Sequence, residues 1–325
     1  MLNPINRSAA KSWQFWLKLA GSLALLSFLL ARTDLHAIGT LFRSLRFPIF
    51  FASIFLYILA QMLSVVRWRC LLLAEKINIP FWRLTLLNFE GMFFNLMLPT
   101  SIGGDVIRGY RVFQMTRRDK ASLASILVER LSGFVALAII ACIAMIPAYT
   151  YLNDPVVVWL VVMAATGVIG IVAGLLSVRL QTLFFRVLNG VGLGRFHERL
   201  EQLHESIRRY WTHRQALLQA VGLSLILQSL VIMIFYLTSR ALNLSVDVRY
   251  FFLFVPLINV ISMLPVSIAG IGIREGSSVY FFSKVGLDSA GAISLSLLFF
   301  AVTALCSGLG GIAFLVGHSQ HQRDP

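Results

Sequence analysis

Six apolar runs along this chain are long enough to cross a bilayer, which takes about 17–25 residues. They fall near Trp16–Ala31, Pro48–Val66, Ala121–Ile146, Val156–Val178, Ala216–Arg240 and Ala290–Val316. Two more apolar runs, Phe81–Leu98 and Tyr250–Leu264, stop at "LPTSIGGD" and "LPVSIAGIG". A second short segment follows each, Val106–Met115 and Ile273–Val285. The pattern predicts an all-α integral membrane protein in which two helices are broken at membrane depth.

The two breaks share a register. "LPTSIGGDVIR" from Leu98 and "LPVSIAGIGIR" from Leu264 agree at seven of eleven positions, 166 residues apart. The matches include Pro99/Pro265, Ser101/Ser267, Gly104/Gly270 and Arg108/Arg274. Leu and Ile coincide readily in apolar sequence; Pro, Ser, Gly and Arg in one register do not. The same offset carries the second span onto the fifth and the third onto the last, and brings Gln61 within one residue of Gln228. Each half, 1–146 and 156–316, is therefore expected to hold three spans plus one re-entrant broken hairpin. Three is odd, so the second half enters from the opposite face and the halves form an inverted repeat, a plan shared by many secondary transporters. Full spans in place of the hairpins are the alternative.

Composition agrees. The chain is 58% hydrophobic and 13% charged over 325 residues, against about 45–50% and about 25% in soluble domains. A single membrane domain, 1–325, is expected, with no room for a soluble catalytic domain. The net charge of +14 is read as cytoplasmic loops facing anionic lipid rather than as a nucleic-acid surface. Arg108, Arg111, Arg117, Arg118 and Lys120 in one segment, and seven arginines in 179–214, mark the inner face. Both termini then lie inside. Arg32, Arg43 and Arg46 conflict with this scheme, which places their loop outside. The insertion 179–215 contains an amphipathic stretch, with Phe196, Leu200, Leu203, Ile207 and Trp211 at helical spacing. It reads either as a surface helix on the inner leaflet or as a cytoplasmic helix packed on the bundle. Three cysteines without a CxxC, and six histidines of which His197, His204 and His213 share one loop at non-ligand spacing, suggest neither disulfide nor metal site.

The breaks carry the chemistry. Backbone interrupted at membrane depth must be buried in protein or line a polar cavity. Pro99 and Pro265 stop the incoming helices, and Gly103, Gly104, Gly270 and Gly272 allow tight turns and close approach. The restarted helices aim free N–H groups into the gap, where anions bind. Arg108 and Arg274 lie about one turn in, and each guanidinium can fork onto a phosphate. Asp105 either caps its helix or pairs with Arg108 or Arg111; Glu275 serves similarly beside Arg274. Together with Ser101 and Ser267 these form the candidate substrate-binding set. Glu90, Glu129, Arg130 and Arg111 are ionisable groups in or beside apolar sequence, either coupling groups or structural ion pairs. Asn88, Asn95 and Asn259 read as hydrogen-bond links between helices. No G-x-G-x-x-G or G-x-x-x-x-G-K-[ST] occurs, so no nucleotide site, cofactor or ATP coupling is expected.

"FNLMLPTSIGGDVIRGYRV", the Glu129–Arg130 pair and "LPVSIAGIGIREG" resemble the lysylphosphatidylglycerol synthase transmembrane-region family. This is a flippase-like membrane domain found fused to a lipid-modifying synthase domain and as stand-alone prokaryotic proteins. The chain ends soon after its last span, so the synthase domain is not expected. The resemblance implies movement of an anionic phospholipid or lipid-linked head group across the cytoplasmic (inner) membrane, with Asp105, Arg108, Arg274 and Glu275 at family motif positions. Membrane lipids are the expected partners, by alternating access without ATP and without enzymatic activity. The alternative is a non-transporting partner of a lipid-modifying or glycan-assembly enzyme; a homo-oligomer fits either reading. The second motif has Ala269-Gly270 where a double glycine is usual.

Overall fold

In lipid an apolar segment has only itself to satisfy its backbone, so the long apolar runs become helices. A computed structural model describes residues 25–97, 103–117, 119–152, 154–176, 206–263 and 270–321. Its main helices are α1 (Leu25–Ala31), α2 (Leu35–Arg43), α3 (Phe47–Ala74), α4 (Phe81–Met97), α5 (Gly103–Thr116) and α6 (Asp119–Leu152). After these come α7 (Pro155–Leu176), α8 (Arg214–Ala241), α9 (Val248–Ser262), α10 (Ile273–Ser283) and α11 (Ser289–His321). No strand occurs among the described residues. Five helices, α3, α6, α7, α8 and α11, are long and apolar enough to cross a membrane, and α1 with α2, bent by 88°, make a sixth if counted as one span. The protein is an all-α integral membrane protein. The expected first span lies largely outside the described residues, as does 195–205 of the amphipathic stretch.

The second span is longer than its apolar run suggests. The sequence pattern ends it at Val66, before the first charge, yet α3 continues to Ala74 and buries Arg67. A paired arginine does not end a helix; it only ends a hydropathy window. Local signals set the other boundaries. Pro48 sits in the first turn of α3, where its missing N–H breaks no helical bond. Asp34 and Asp247 cap α2 and α9 by accepting backbone N–H bonds.

The element order repeats. Helices of 28, 17, 14 and 34 residues (α3–α6) are followed, after α7, by helices of 28, 15, 11 and 33 (α8–α11). The turns repeat as well. Lys76 and Asn243, 167 residues apart, both take positive φ, 58° and 59°. Each is followed by the same closing bond, Ile77 N–H to the Leu72 carbonyl and Leu244 N–H to the Ser239 carbonyl, both 2.9 Å. These are Schellman-type ends. Packing exchanges elements between halves: α3 lies along α8, α4 along α11, and α6 along α9.

Cross-links fix the two ends of the bundle. At one, Arg46 N–H donates to the Ala241 carbonyl and Asn243 Nδ2 donates to the Ser44 carbonyl, both at 2.9 Å. At the other, the buried Tyr210 hydroxyl donates to the Leu71 carbonyl at 3.1 Å. Asp154, at the start of α7, pairs with Lys284, whose hydrogen bond holds the carboxyl below the usual carboxylate range. The second half is packed with rings: Phe235 stacks on Phe299 at 3.8 Å, and Phe254 contacts both Phe281 and Phe282.

Candidate functional site

The tightest crossing in the first half sits where the sequence breaks. A Cβ on Gly104 would lie 1.8 Å from the Gly91 carbonyl oxygen, so α4 and α5 touch backbone to backbone. Only glycine permits this approach. The Gly104 N–H, one of the free donors opening α5, donates to Asn95 Oδ1 at 2.8 Å. Arg108 lays its aliphatic stem across Gly91, with Cδ 2.5 Å from where a Cβ would stand.

That geometry delivers Arg108 into a cavity of about 290 Å³. One face of α3 supplies Gln61, Ser64 and Arg67, and one face of α4 supplies Asn88, Gly91 and Asn95. Both sets repeat at three- to four-residue spacing, as a helix face requires. Asp105 and Arg108 come from α5, Glu129 and Arg130 from α6, and Gln228 from α8.

The charged groups form a chain. Glu129 accepts from Arg67 Nη2 at 2.9 Å, from Ser64 Oγ at 3.2 Å and from Arg108 Nη2 at 3.1 Å. Arg108 Nη1 also reaches Asp105 at 3.4 Å, and Asp105 pairs with Arg130. Arg67 Nη1 donates to Ser224 Oγ at 2.8 Å, which donates to Ser132 Oγ at 3.0 Å. Arg108 lies 4.1 Å above the Trp68 ring, whose Nε1 is anchored on Ser125 Oγ at 3.2 Å. Three arginines thus meet two carboxylates, leaving a formal excess of one positive charge in the lining. The Nε groups of Arg67 and Arg108 are buried without an acceptor.

The other expected residues are placed elsewhere. Arg274 and Glu275 are buried at the start of α10 but do not line this cavity. Glu275 accepts the Gly272 N–H at 2.6 Å, and Arg274 reaches Glu275 at 3.1 Å. Ser296 bridges the two at 3.2 and 2.9 Å. Gly270 and Gly272 take φ of 77° and 84°, so the second turn needs glycine at both. Glu90 and Arg111 pair at 3.0 Å without lining the cavity. Gly103 opens α5. Pro99, Ser101, Pro265 and Ser267 lie outside the described residues. The matched arginines therefore belong to separate clusters, one open and one locally satisfied. Position by position, 167 residues on, α8 has Ile234 and Phe235 where α3 has Arg67 and Trp68, and α11 has Ser296 where α6 has Glu129. Neither second-half counterpart of Arg67 or Glu129 carries a charge.

Sequence reasoning missed Arg67, Ser64 and the use of Gln61 and Gln228 as lining. The signal for the glutamines was their coincidence across the repeat; for Arg67 it was an ionisable residue inside apolar sequence. Asn88 does link helices, donating to Gln61 at 3.2 Å, but it lines the cavity too.

The model of one protein family, the lysylphosphatidylglycerol synthase TM region, matches residues 15–311. The chain belongs to that family. The match spans every lining residue of the cavity. No curated protein and no solved structure matches the chain.

Proposed function

We propose that this member of the lysylphosphatidylglycerol synthase transmembrane-region family carries an anionic phospholipid, or a lipid-linked anionic head group, across the cytoplasmic membrane of a prokaryote. The observation that carries the reading is the buried cavity with three arginines against two carboxylates. Ionisable groups at membrane depth are costly and mark substrate paths. A phosphate arriving there competes with Glu129 and Asp105 for the guanidinium N–H groups. The carboxylates keep the arginines paired when the cavity is empty.

In this reading α4–α5 and α9–α10 are re-entrant hairpins entering from opposite faces of an inverted repeat, with both termini inside. Alternating access then needs only rocking of the two halves, without ATP and without bond chemistry. The repeated element order and the exchanged packing of α4 with α11 and α6 with α9 support this plan.

The test is dithionite protection of fluorescent phosphatidylglycerol in phosphatidylcholine proteoliposomes. The double variant Arg67→Gln/Arg108→Gln is expected to slow translocation at least about tenfold, since each charged hydrogen bond is worth about 1.5–3 kcal/mol. Translocation at the wild-type rate by a folded double variant contradicts the reading.

A further inference from the structure

The charged cavity adjoins an apolar one. Phe134 and Leu137 of α6 line the charged cavity, and the same two side chains line a second cavity of about 210 Å³. This one is apolar, bounded by Ala141 of α6, Gly167 and Ile171 of α7, and Pro256 and Val260 of α9. A third cavity of about 390 Å³ continues along the same two helices, between Ile143 and Pro147 of α6 and Val248, Arg249 and Phe252 of α9. Along α6 the order runs from Gly133 to Pro147; along α9 it runs from Met263 back to Val248. Fourteen residues of helix span about 21 Å at 1.5 Å per residue, most of a hydrocarbon core about 30 Å thick.

The corresponding seam between α4 and α11 is shut at Gly310 and Gly311. A Cβ on Gly310 would stand 2.0 Å from the Phe89 carbonyl oxygen, and one on Gly311 would stand 2.8 Å from the Phe93 ring. Where the α4–α11 seam closes on backbone at Gly310, the α6–α9 seam that begins at the charged cavity leaves space.

We infer that the α6–α9 seam, walled by α7, holds an acyl chain of the lipid whose head group occupies the charged cavity. This rests on the proposed function and adds where the rest of the substrate lies. A charged head needs the arginines, while its chain loses stabilisation wherever it is exposed to polar groups. A seam that starts at the cavity and stays apolar to its far end meets both demands at once. At that far end the exposed Arg249–Asp247 pair offers a polar contact to a departing head group.

The test uses phosphatidylglycerol bearing a photoactivatable diazirine on its acyl chain, in phosphatidylcholine proteoliposomes of the full chain. Adducts are mapped by mass spectrometry. They are expected at residues 134–141 and 256–260. Gly167→Leu projects into the second cavity from α7, where an added Cβ meets nothing within 4 Å, so the fold accepts it. It is expected to lower seam labelling about tenfold, the effect of roughly 1.4 kcal/mol; Arg108→Gln is expected to lower it similarly. Labelling spread evenly over the lipid-facing helices, or unmoved by Gly167→Leu, overturns the seam while leaving the head-group reading to the translocation assay. Seam labelling that falls with Gly167→Leu but not with Arg108→Gln separates the chain from the charged cavity, and overturns both.

Discussion

Glu129 is the residue on which the charged chain turns. Arg67, Arg108 and Ser64 all donate to its carboxylate, and it is buried. Glu129→Gln leaves two buried guanidinium groups short of a counter-charge, so it is expected to destabilise the fold by about 3–5 kcal/mol. Arg111→Gln removes a partner from a pair whose arginine is one-third exposed, where the loss is expected to be about 1 kcal/mol or less. Thermal melting of the two variants in the same detergent checks the order; equal shifts contradict the network. Glycines and charges in apolar surroundings draw attention to Asp105, Arg108, Glu129 and Arg130 in the sequence, and the fold brings these four to one cavity. Sequence reading fails for Arg67, since a hydropathy window treats a charge as an end, whereas the folded helix treats it as a partner for Glu129. It also joins Arg108 with Arg274. The motif repeats around them, but Ser296 and Phe300 beside Arg274 replace what Glu129 and Trp68 provide for Arg108.

At the scale of elements, glycine positions decide how closely helices meet. Gly104 faces backbone at 1.8 Å, Gly91 faces the flexible stem of Arg108 at 2.5 Å, and Gly167 faces open space. Alanine at Gly104 forces α4 and α5 apart and is expected to cost about 1–3 kcal/mol or more, as overpacking does. Alanine at Gly91 displaces the Arg108 stem and presses the Gly104 carbonyl oxygen only at 3.2 Å, and is expected to fall at the lower end of that range, with weaker head-group binding. Alanine at Gly167 is expected to be neutral or stabilising by up to about 1 kcal/mol through helix propensity. Melting temperatures in that order support the hairpin geometry; a Gly104→Ala protein as stable as wild type removes it. The helices themselves are legible in the sequence to within a few residues, because apolar runs of spanning length leave few alternatives. The backbone contact between Gly91 and Gly104 is not, since hydropathy gives no distance between two helices.

For the whole molecule, the repeat is one of backbone more than of chemistry. The turns at Lys76 and Asn243 are the same, yet Arg67 and Glu129 give way to Ile234 and Ser296 in the second half. A repeated helix order with a charged cavity in its first half fits the proposed carrier, which rocks around a head-group site. The two ends of the bundle are marked by Asn243, bonded to Ser44, and by Tyr210, bonded to Leu71. In a background without Cys70, Cys142 and Cys306, an impermeant maleimide is expected to label Asn243→Cys from outside sealed cells. Thr212→Cys is expected to react only after permeabilisation. Labelling of both from outside contradicts the orientation.

The central claim is that the first-half cavity recognises an anionic head group, and native mass spectrometry of retained lipid tests it most directly. Purified protein offered equal phosphatidylglycerol and phosphatidylcholine is predicted to keep phosphatidylglycerol selectively. Arg67→Gln/Arg108→Gln is predicted to lose that preference while Arg274→Gln, where folded, retains it. Equal retention of the two lipids by the wild-type protein, or an undiminished preference in the Arg67/Arg108 variant, contradicts the account.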